Sequence, residues 1–348
     1  MNKMTAPLRI GVVGLGFGQQ AHVPGFRSDD RCEVVAICGS ERSRAKRVAD
    51  ALGIAKAYGD WRELVADPEV DVISIAVPPV LQAPIAIEAA NAGKAVFCEK
   101  PLAANLSDAK RMCQAVTDHQ VAHAIDFLFP ESEAFRLAKS EISAGRLGEV
   151  RHALVSWKVE TYAVRNRLDS WKLRGDSGGG TLMSFVSHSF YYLEWLLGPI
   201  VAIQGRLHPA GSTDDLRVNA WIDHASGCQT VLTVATDACL GSGHRIEIYG
   251  SEGALVLENR GADYVSGFGL SVGDRVSGQL QSVSLRELAP GTDGRVDALS
   301  GIIRRFVDAI LHKGVMTPNF FDGLRVQQLI EAVRQSDRSD GRQRVGDK

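Results

Sequence analysis

No stretch of the 348 residues approaches the roughly 18 consecutive apolar positions that a membrane-spanning helix needs. The opening Met1 to Pro7 is short and polar, and the apolar segment Ile10 to Phe17 is broken by three glycines, too short for a secretory core. The six cysteines include no C-x-x-C pair, which removes zinc ribbons and dithiol redox motifs, and several fall in apolar patterns where a thiol simply packs. Charge of neither sign dominates: 39 Lys and Arg against 41 Asp and Glu give a formal charge of -2, with no basic run interleaved with aromatics. Neither nucleic acid nor a membrane is therefore expected as a partner. His119 and His123 have the spacing of a metal pair but lack the glutamate of H-E-x-x-H, and no metal is assigned. These absences leave a protein of the reducing cytoplasm that acts on a small molecule.

What is present is an alternation of short apolar runs and helical patterns from Leu8 to Asp126, the signature of a doubly wound parallel α/β sheet. Strands are expected at Leu8 to Val13, Glu33 to Cys38, Val70 to Ala76, Ala95 to Cys98 and Ala122 to Asp126. Helices are expected near Ala21 to Ser28, Ser43 to Leu52, Gln82 to Ala92 and Ser107 to His119. After a helix at Ser132 to Ala144 the pattern changes to longer alternating strands joined by turns, an antiparallel arrangement. A helix over Thr181 to Leu197, led by Gly178-Gly179-Gly180, interrupts them; helices at Val296 to Lys313 and Phe320 to Ser336 close the chain, and glycine-rich Gly261 to Gly278 reads as an exposed loop or hairpin. Two domains follow, residues 1–126 and 127–348.

Gly14-Leu15-Gly16-Phe17-Gly18-Gln19 lies directly between the first strand and a helical pattern, the context of a dinucleotide fingerprint. Glycines there permit a tight turn and let backbone N–H groups reach a pyrophosphate; the third glycine of G-x-G-x-x-G falls on Gln19, so Gly18 comes one place early. At the end of the second strand, NAD sites usually carry Asp or Glu for the ribose 2′-OH. Here Gly39 occupies that tip, and Ser40, Arg42 and Arg44 suit a 2′-phosphate, so NADP is favoured. The alternative is NAD, with Glu41 taking the ribose. At the carboxyl edge of the next strands, where open α/β sheets bind ligands, stand Pro78 and Glu99-Lys100-Pro101.

With Gly178-Gly179-Gly180, His188, Trp195-Leu196-Leu197-Gly198 and Phe321-Asp322-Gly323-Leu324 in the same order, the chain resembles the glucose-fructose oxidoreductase and inositol dehydrogenase (Gfo/Idh/MocA) family over almost its whole length. The resemblance implies a Rossmann domain, a C-terminal α+β domain with a large open sheet, nicotinamide-dependent chemistry on a sugar or cyclitol carbon, and assembly into a homodimer or homotetramer through that sheet. It also implies that Lys100 contacts the substrate hydroxyl and nicotinamide ribose, that His188 stands at the reacting carbon, and that Pro101 follows a cis peptide. A base near pKa 6.5 suits removal of the hydroxyl proton, whereas a lysine orients and polarises the oxygen.

The sequence departs from the family where Ser184 and Tyr191 replace aspartates one turn either side of His188, and where Pro79 and Gln82 replace the Asn and His of P-N-x-x-H. Ser184, His188 and Tyr191 or Tyr192 fall on one helical stripe, so a serine or tyrosine hydroxyl is expected to complete the proton path. Lys158 and Trp171 are the further substrate candidates. A redox-neutral elimination or glycoside cleavage with a retained cofactor, and a non-catalytic NADP-responsive binding protein, are the competing readings.

Overall fold

The computed structural model describes residues 6–346 except 210, 212–213, 262–263, 266, 287–290 and 292. The chain forms two compact units, residues Met1–Asp126 with Arg295–Leu324, and Phe127–Gly294 with Arg325–Lys348. Residues Arg295–Leu324, expected within a domain from 127 to 348, cluster with the first unit, a return of the chain. Its reason is apolar: Phe306 meets Phe97 with ring centroids 5.6 Å apart, and a Cβ at Gly25 would lie 2.9 Å from Ile303.

In the first unit, β1 (Leu8–Val13), β2 (Cys32–Cys38), β3 (Lys56–Tyr58), β4 (Val72–Ile75), β5 (Ala95–Cys98) and β6 (His123–Ile125) form an all-parallel sheet in the order β3-β2-β1-β4-β5-β6. Helices α1 (Val23–Arg27), α2 (Arg42–Leu52), α3 (Trp61–Ala66), α4 (Pro79–Asn91) and α5 (Leu106–Asp118) alternate with the strands, and β4 and β5 are buried throughout. Strand β3 and helix α3 go beyond the sequence expectation, because Lys-Ala-Tyr is too short and too half-exposed to leave a period. Helix α4 starts three residues before the expected Gln82, since proline at its first position costs no hydrogen bond.

The second unit holds α6 (Glu133–Ser143), β7 (Val150–Lys158), α7 (Tyr162–Arg165), α8 (Ser187–Leu197), β8 (Ile200–His208), β9 (Arg217–His224), β10 (Gln229–Ala235), β11 (Gly243–Gly250), β12 (Gly253–Asn259), β13 (Gly269–Asp274), β14 (Gln281–Ser282) and β15 (Gln343–Arg344). Helices α9 (Gly294–His312) and α10 (Phe320–Ser339) complete the chain. The nine strands run β14-β13-β12-β11-β7-β10-β9-β8-β15, all antiparallel except the pair β7 and β10. The glycine-rich segment is a hairpin in part, β12 pairing β13; residues 262, 263 and 266 lie outside the described residues.

Period-two alternation sorts this sheet into two faces. Val155, Trp157, Ile222, Leu232, Val234, Ile246 and Leu257 are buried on the inner one. On the outer face Leu154, Val231 and Trp221 stand in register on adjacent strands at 39%, 38% and 62% exposure. The buried Arg325 guanidinium pairs with Glu194 at 2.9 Å and donates to the Ile200 carbonyl, tying α10 to the end of α8.

Candidate active site

The glycine turn is built from the edges of three strands. Gly14 N donates to the Cys38 carbonyl at 2.9 Å, and Gly14 has φ +123 because a Cβ there would sit 2.1 Å from the Ala76 carbonyl oxygen. Gly18, one place early, opens a five-residue π turn (Gly18–His22) lying close on β1, where a Cβ would be 3.0 Å from Val12. A Cβ at Gly16 would meet nothing within 4 Å, so no intramolecular packing calls for glycine there and the backbone faces open space. That cradle fits a pyrophosphate held by N–H groups. Phe17 is half-buried, with the Arg295 guanidinium 5.5 Å above its ring, and Gln19 follows at the same rim.

At the tip of β2, Gly39 has a packing cause: a Cβ would lie 2.4 Å from Leu15 Cδ1. Ser40, Glu41, Arg42 and Arg44 are exposed beyond it, and Arg42 has a long ion pair of 3.7 Å with Glu63. On the other side of β1, Pro78 caps α4 and β5 ends at Cys98 before half-buried Glu99 and Lys100 and buried Pro101. The Lys100–Pro101 peptide is cis.

This segment is clamped twice. Gln82, fully buried, donates from Nε2 to the carbonyls of Glu99, Pro101 and Leu102 at 3.1, 2.7 and 3.0 Å. Gly323 admits Leu102 from beneath, its absent Cβ lying 2.9 Å from the Leu102 Cβ. The Glu99 side chain meets His22 Nε2 at 3.0 Å, and His22 Nδ1 meets Ser74 Oγ at 2.7 Å. Burial alone would raise the Glu99 carboxyl; the hydrogen bond with His22, the contact with Asp126 and the Lys100 ammonium outweigh it and hold Glu99 below the ordinary carboxylate range. Ligand atoms of His22, Glu99 and Asp126 lie within 4.8 Å of one another. With a lysine next in the chain and the imidazole engaged on both nitrogens, the set is a hydrogen-bonded charge cluster. Sequence reading misses His22, Ser74 and Asp126; the available signal is a serine inside the apolar run Val72–Ile75.

In the second unit, a loop through half-buried Trp171 lies across the triple glycine, with Gly180 N donating to the Lys172 carbonyl at 2.9 Å and Gly179 N to that of Arg174 at 2.8 Å. A second five-residue π turn (Leu182–Val186) follows, holding half-buried Ser184. Its start is pinned by Asp215, whose carboxylate accepts from Leu182 N at 2.7 Å and whose carbonyl accepts from Thr181 N at 2.8 Å. Helix α8 then carries buried His188 in its first turn, against the edges of Phe129 and Phe127 at 5.0 and 6.2 Å, while Tyr191 stacks on Phe127 at 4.4 Å. Tyr192 instead enters the core, its hydroxyl bonded to Ser189 and His244, both 3.0 Å away, and burial pushes it above the ordinary phenol range. Of the two tyrosines only Tyr191 stays with His188.

Lys158 requires a correction. Trp157 faces inward toward Phe129, which in turn meets His188, so the next residue projects to the outer face, where Lys158 Nζ donates to the Thr233 hydroxyl. Within one chain it is not brought to His188. Burial lowers its pKa.

The comparisons with known proteins meet this geometry at both units. A model described as an oxidoreductase family NAD-binding Rossmann fold matches residues 8–127, and one for the C-terminal alpha/beta domain of that family matches residues 139–345. The chain belongs to the Gfo/Idh/MocA oxidoreductase family. An uncharacterized oxidoreductase of Synechocystis is 30% identical over 349 residues, spanning 94% of both chains, and levoglucosan dehydrogenase of Pseudarthrobacter phenanthrenivorans is 28% identical over 94% of this chain and 96% of its own. A solved levoglucosan dehydrogenase complex with NADH and L-sorbose superposes with TM-score 0.87 at 25% identity, covering 98% of this chain and 100% of the other. As a Gfo/Idh/MocA member the protein is an NAD(P)-dependent oxidoreductase acting on CH–OH groups. No described helix is long and apolar enough to cross a membrane.

Proposed function

We propose that this protein interconverts a secondary alcohol and a ketone on a sugar, a sugar derivative such as a nucleotide sugar, or a cyclitol. The carrying observation is Lys100, fixed at the carboxyl edge of the parallel sheet by the Gln82 clamp on its backbone and the Glu99 anchor beside it. Relatives with sugar and cyclitol names, levoglucosan dehydrogenase and a myo-inositol 2-dehydrogenase of Thermotoga maritima at 27% identity over 72% of this chain, support the substrate class.

Gly14, Gly16, Phe17, Gly18 and Gln19 would hold the pyrophosphate, and Pro78, Glu99, Lys100 and Pro101 would border the nicotinamide. The bound nicotinamide supplies a hydride acceptor or donor at the reacting carbon. Lys100 orients and polarises the hydroxyl oxygen, and His188 takes its proton as the C–H bond breaks. Ser184 and Tyr191 carry that proton on, Tyr191 held by its stack on Phe127. Trp171, on the loop that crosses the triple glycine, is a further substrate contact. Ser40, Arg42 and Arg44, exposed beyond a tip without a carboxylate, favour NADP; the NADH complexes of levoglucosan dehydrogenase make NAD the competing cofactor. The outer sheet face, with Leu154, Val231 and Trp221 in one row, is the surface we assign to pairing with a second copy.

The reading is tested by incubating the protein with sugars and cyclitols, including levoglucosan and myo-inositol, and NADP⁺ or NAD⁺ while following the absorbance of reduced nicotinamide. Lys100→Ala is expected to lose about 100-fold or more in turnover, and unaltered turnover would overturn the site. Fluorescence titration should show NADPH binding more tightly than NADH; the reverse order makes NAD the cofactor. Trp221→Asp should lower the mass measured by light scattering, and an unchanged mass would move the interface elsewhere.

A further inference from the structure

Four elements contribute one side chain each to the underside of the Glu99-Lys100-Pro101 segment. His22 comes from the π turn after the glycine motif, Ser74 from β4, Glu99 from the end of β5 and Asp126 from the end of β6. His22 and Ser74 are completely buried and Asp126 is 1% exposed, while Phe17 and Phe97 make edge contacts with the imidazole at 5.6 and 5.4 Å. An ionised Glu99 can only accept, so His22 donates from Nε2, while its Nδ1 shares a hydrogen bond with the Ser74 hydroxyl. The imidazole is thereby fixed in ring angle, with one nitrogen committed to the carboxylate that adjoins Lys100. Buried polar groups of this kind are costly unless fully paired, and a packing role alone would be met by a phenylalanine between Phe17 and Phe97.

We propose that His22 is a positioning residue for the reaction: by holding the Glu99 carboxylate it sets where the Lys100 ammonium stands. The proposal rests on the reading that Lys100 contacts the reacting hydroxyl. The charged and titratable groups around Glu99 are His22, Asp126 and Lys100. A carboxylate kept beside Lys100 favours the ammonium form, which polarises an alcohol oxygen and leaves the base role to His188.

Two near-isosteric variants separate positioning from packing. His22→Gln places an amide nitrogen where Nε2 stood and retains the donor to Glu99 while losing Ser74; His22→Asn keeps the Ser74 side and releases Glu99. Positioning of this type is expected to be worth about tenfold to 100-fold in kcat. His22→Asn should show that loss with the NADPH dissociation constant unchanged, and His22→Gln should recover most of it. The second readout needs no substrate: the pH at which Lys100 becomes half-labelled by acetic anhydride, followed by peptide mass mapping. That midpoint should fall in Glu99→Gln and His22→Asn and stay in place in His22→Gln. Equal kcat and equal labelling midpoints in the two His22 variants would overturn the proposal. Should both His22 variants fail to fold, Glu99→Gln carries the test alone, and an unshifted midpoint there would overturn it. If Lys100→Ala turns over normally, the functional reading itself falls; if Lys100→Ala is inactive but the His22 variants are indistinguishable, only the positioning role does.

Discussion

At Gly16, ahead of the first π turn, an added Cβ would touch no atom within 4 Å; at Gly179, ahead of the second, it would lie 2.3 Å from the Trp171 carbonyl oxygen and 2.7 Å from that of Lys172. Both glycine clusters introduce a five-residue wide turn, a device that recurs at functional sites, and each is followed closely by a buried histidine, His22 or His188. The first glycine faces open space. The second is filled by the chain's own loop. Glycine-rich spacing alone therefore does not distinguish an open turn from a close backbone crossing, and the atoms around the missing Cβ do.

The sharpest way to break this comparison is Gly179→Ala. Because the obstructing atoms are backbone, the loop must move, and a loss of about 3 kcal/mol is expected in chemical denaturation. A variant as stable as the parent would mean the crossing is looser than its distances indicate.

Asp215→Asn probes the carboxylate that pins the start of the second π turn, where the first is held at its end by Glu99 on His22. Burial raises the Asp215 carboxyl from 3.8 to about 6, so the folded chain keeps a proton that the unfolded chain has released. Stability from this group is present at pH below 3.8 and is lost as pH rises through 6. Asparagine keeps an acceptor for Leu182 N without the charge, so the variant should gain about 2 kcal/mol at pH well above 6 and nothing in acid. Thermal melts at both extremes measure the difference, and a gain of equal size in acid would remove the carboxylate as its cause.

The mildest change is Gly16→Ala, expected to leave the denaturation midpoint where it is while weakening nicotinamide dinucleotide binding about tenfold, or 1.4 kcal/mol. A drop in stability matching that of Gly179→Ala would erase the distinction between the two glycine clusters.

The dinucleotide turn and Glu99-Lys100-Pro101 are legible in the sequence because each is contiguous and each sits at a strand end that the apolar pattern marks. Most strand and helix spans are legible for the same reason. The His22, Ser74 and Asp126 cluster is not, since its members are brought together only when β4, β5 and β6 pair in parallel register. Lys158 falls on the outer face because alternation along a strand sets it opposite its buried neighbour Trp157. The return of α9 to the first unit is a tertiary choice made by Phe306 and Ile303, whose apolar faces suit either sheet when read alone. Gln82 looks in sequence like the loss of a family histidine, yet its amide is what holds the lysine segment in place.

Strand β7 lies at the middle of the nine-stranded sheet and belongs to no hairpin: its neighbours are β10, starting at Gln229, and β11, starting at Gly243. During synthesis it therefore emerges with neither partner made, and it waits about 70 residues for the first of them, several seconds of translation at ordinary rates. Strands β8, β9 and β10 can zip sequentially in that interval, but the central strand is installed late and by a long-range closure. Until then its inward side chains, Val155 and Trp157, have no sheet to rest in, and the sheet's centre stays open while its flank is already paired.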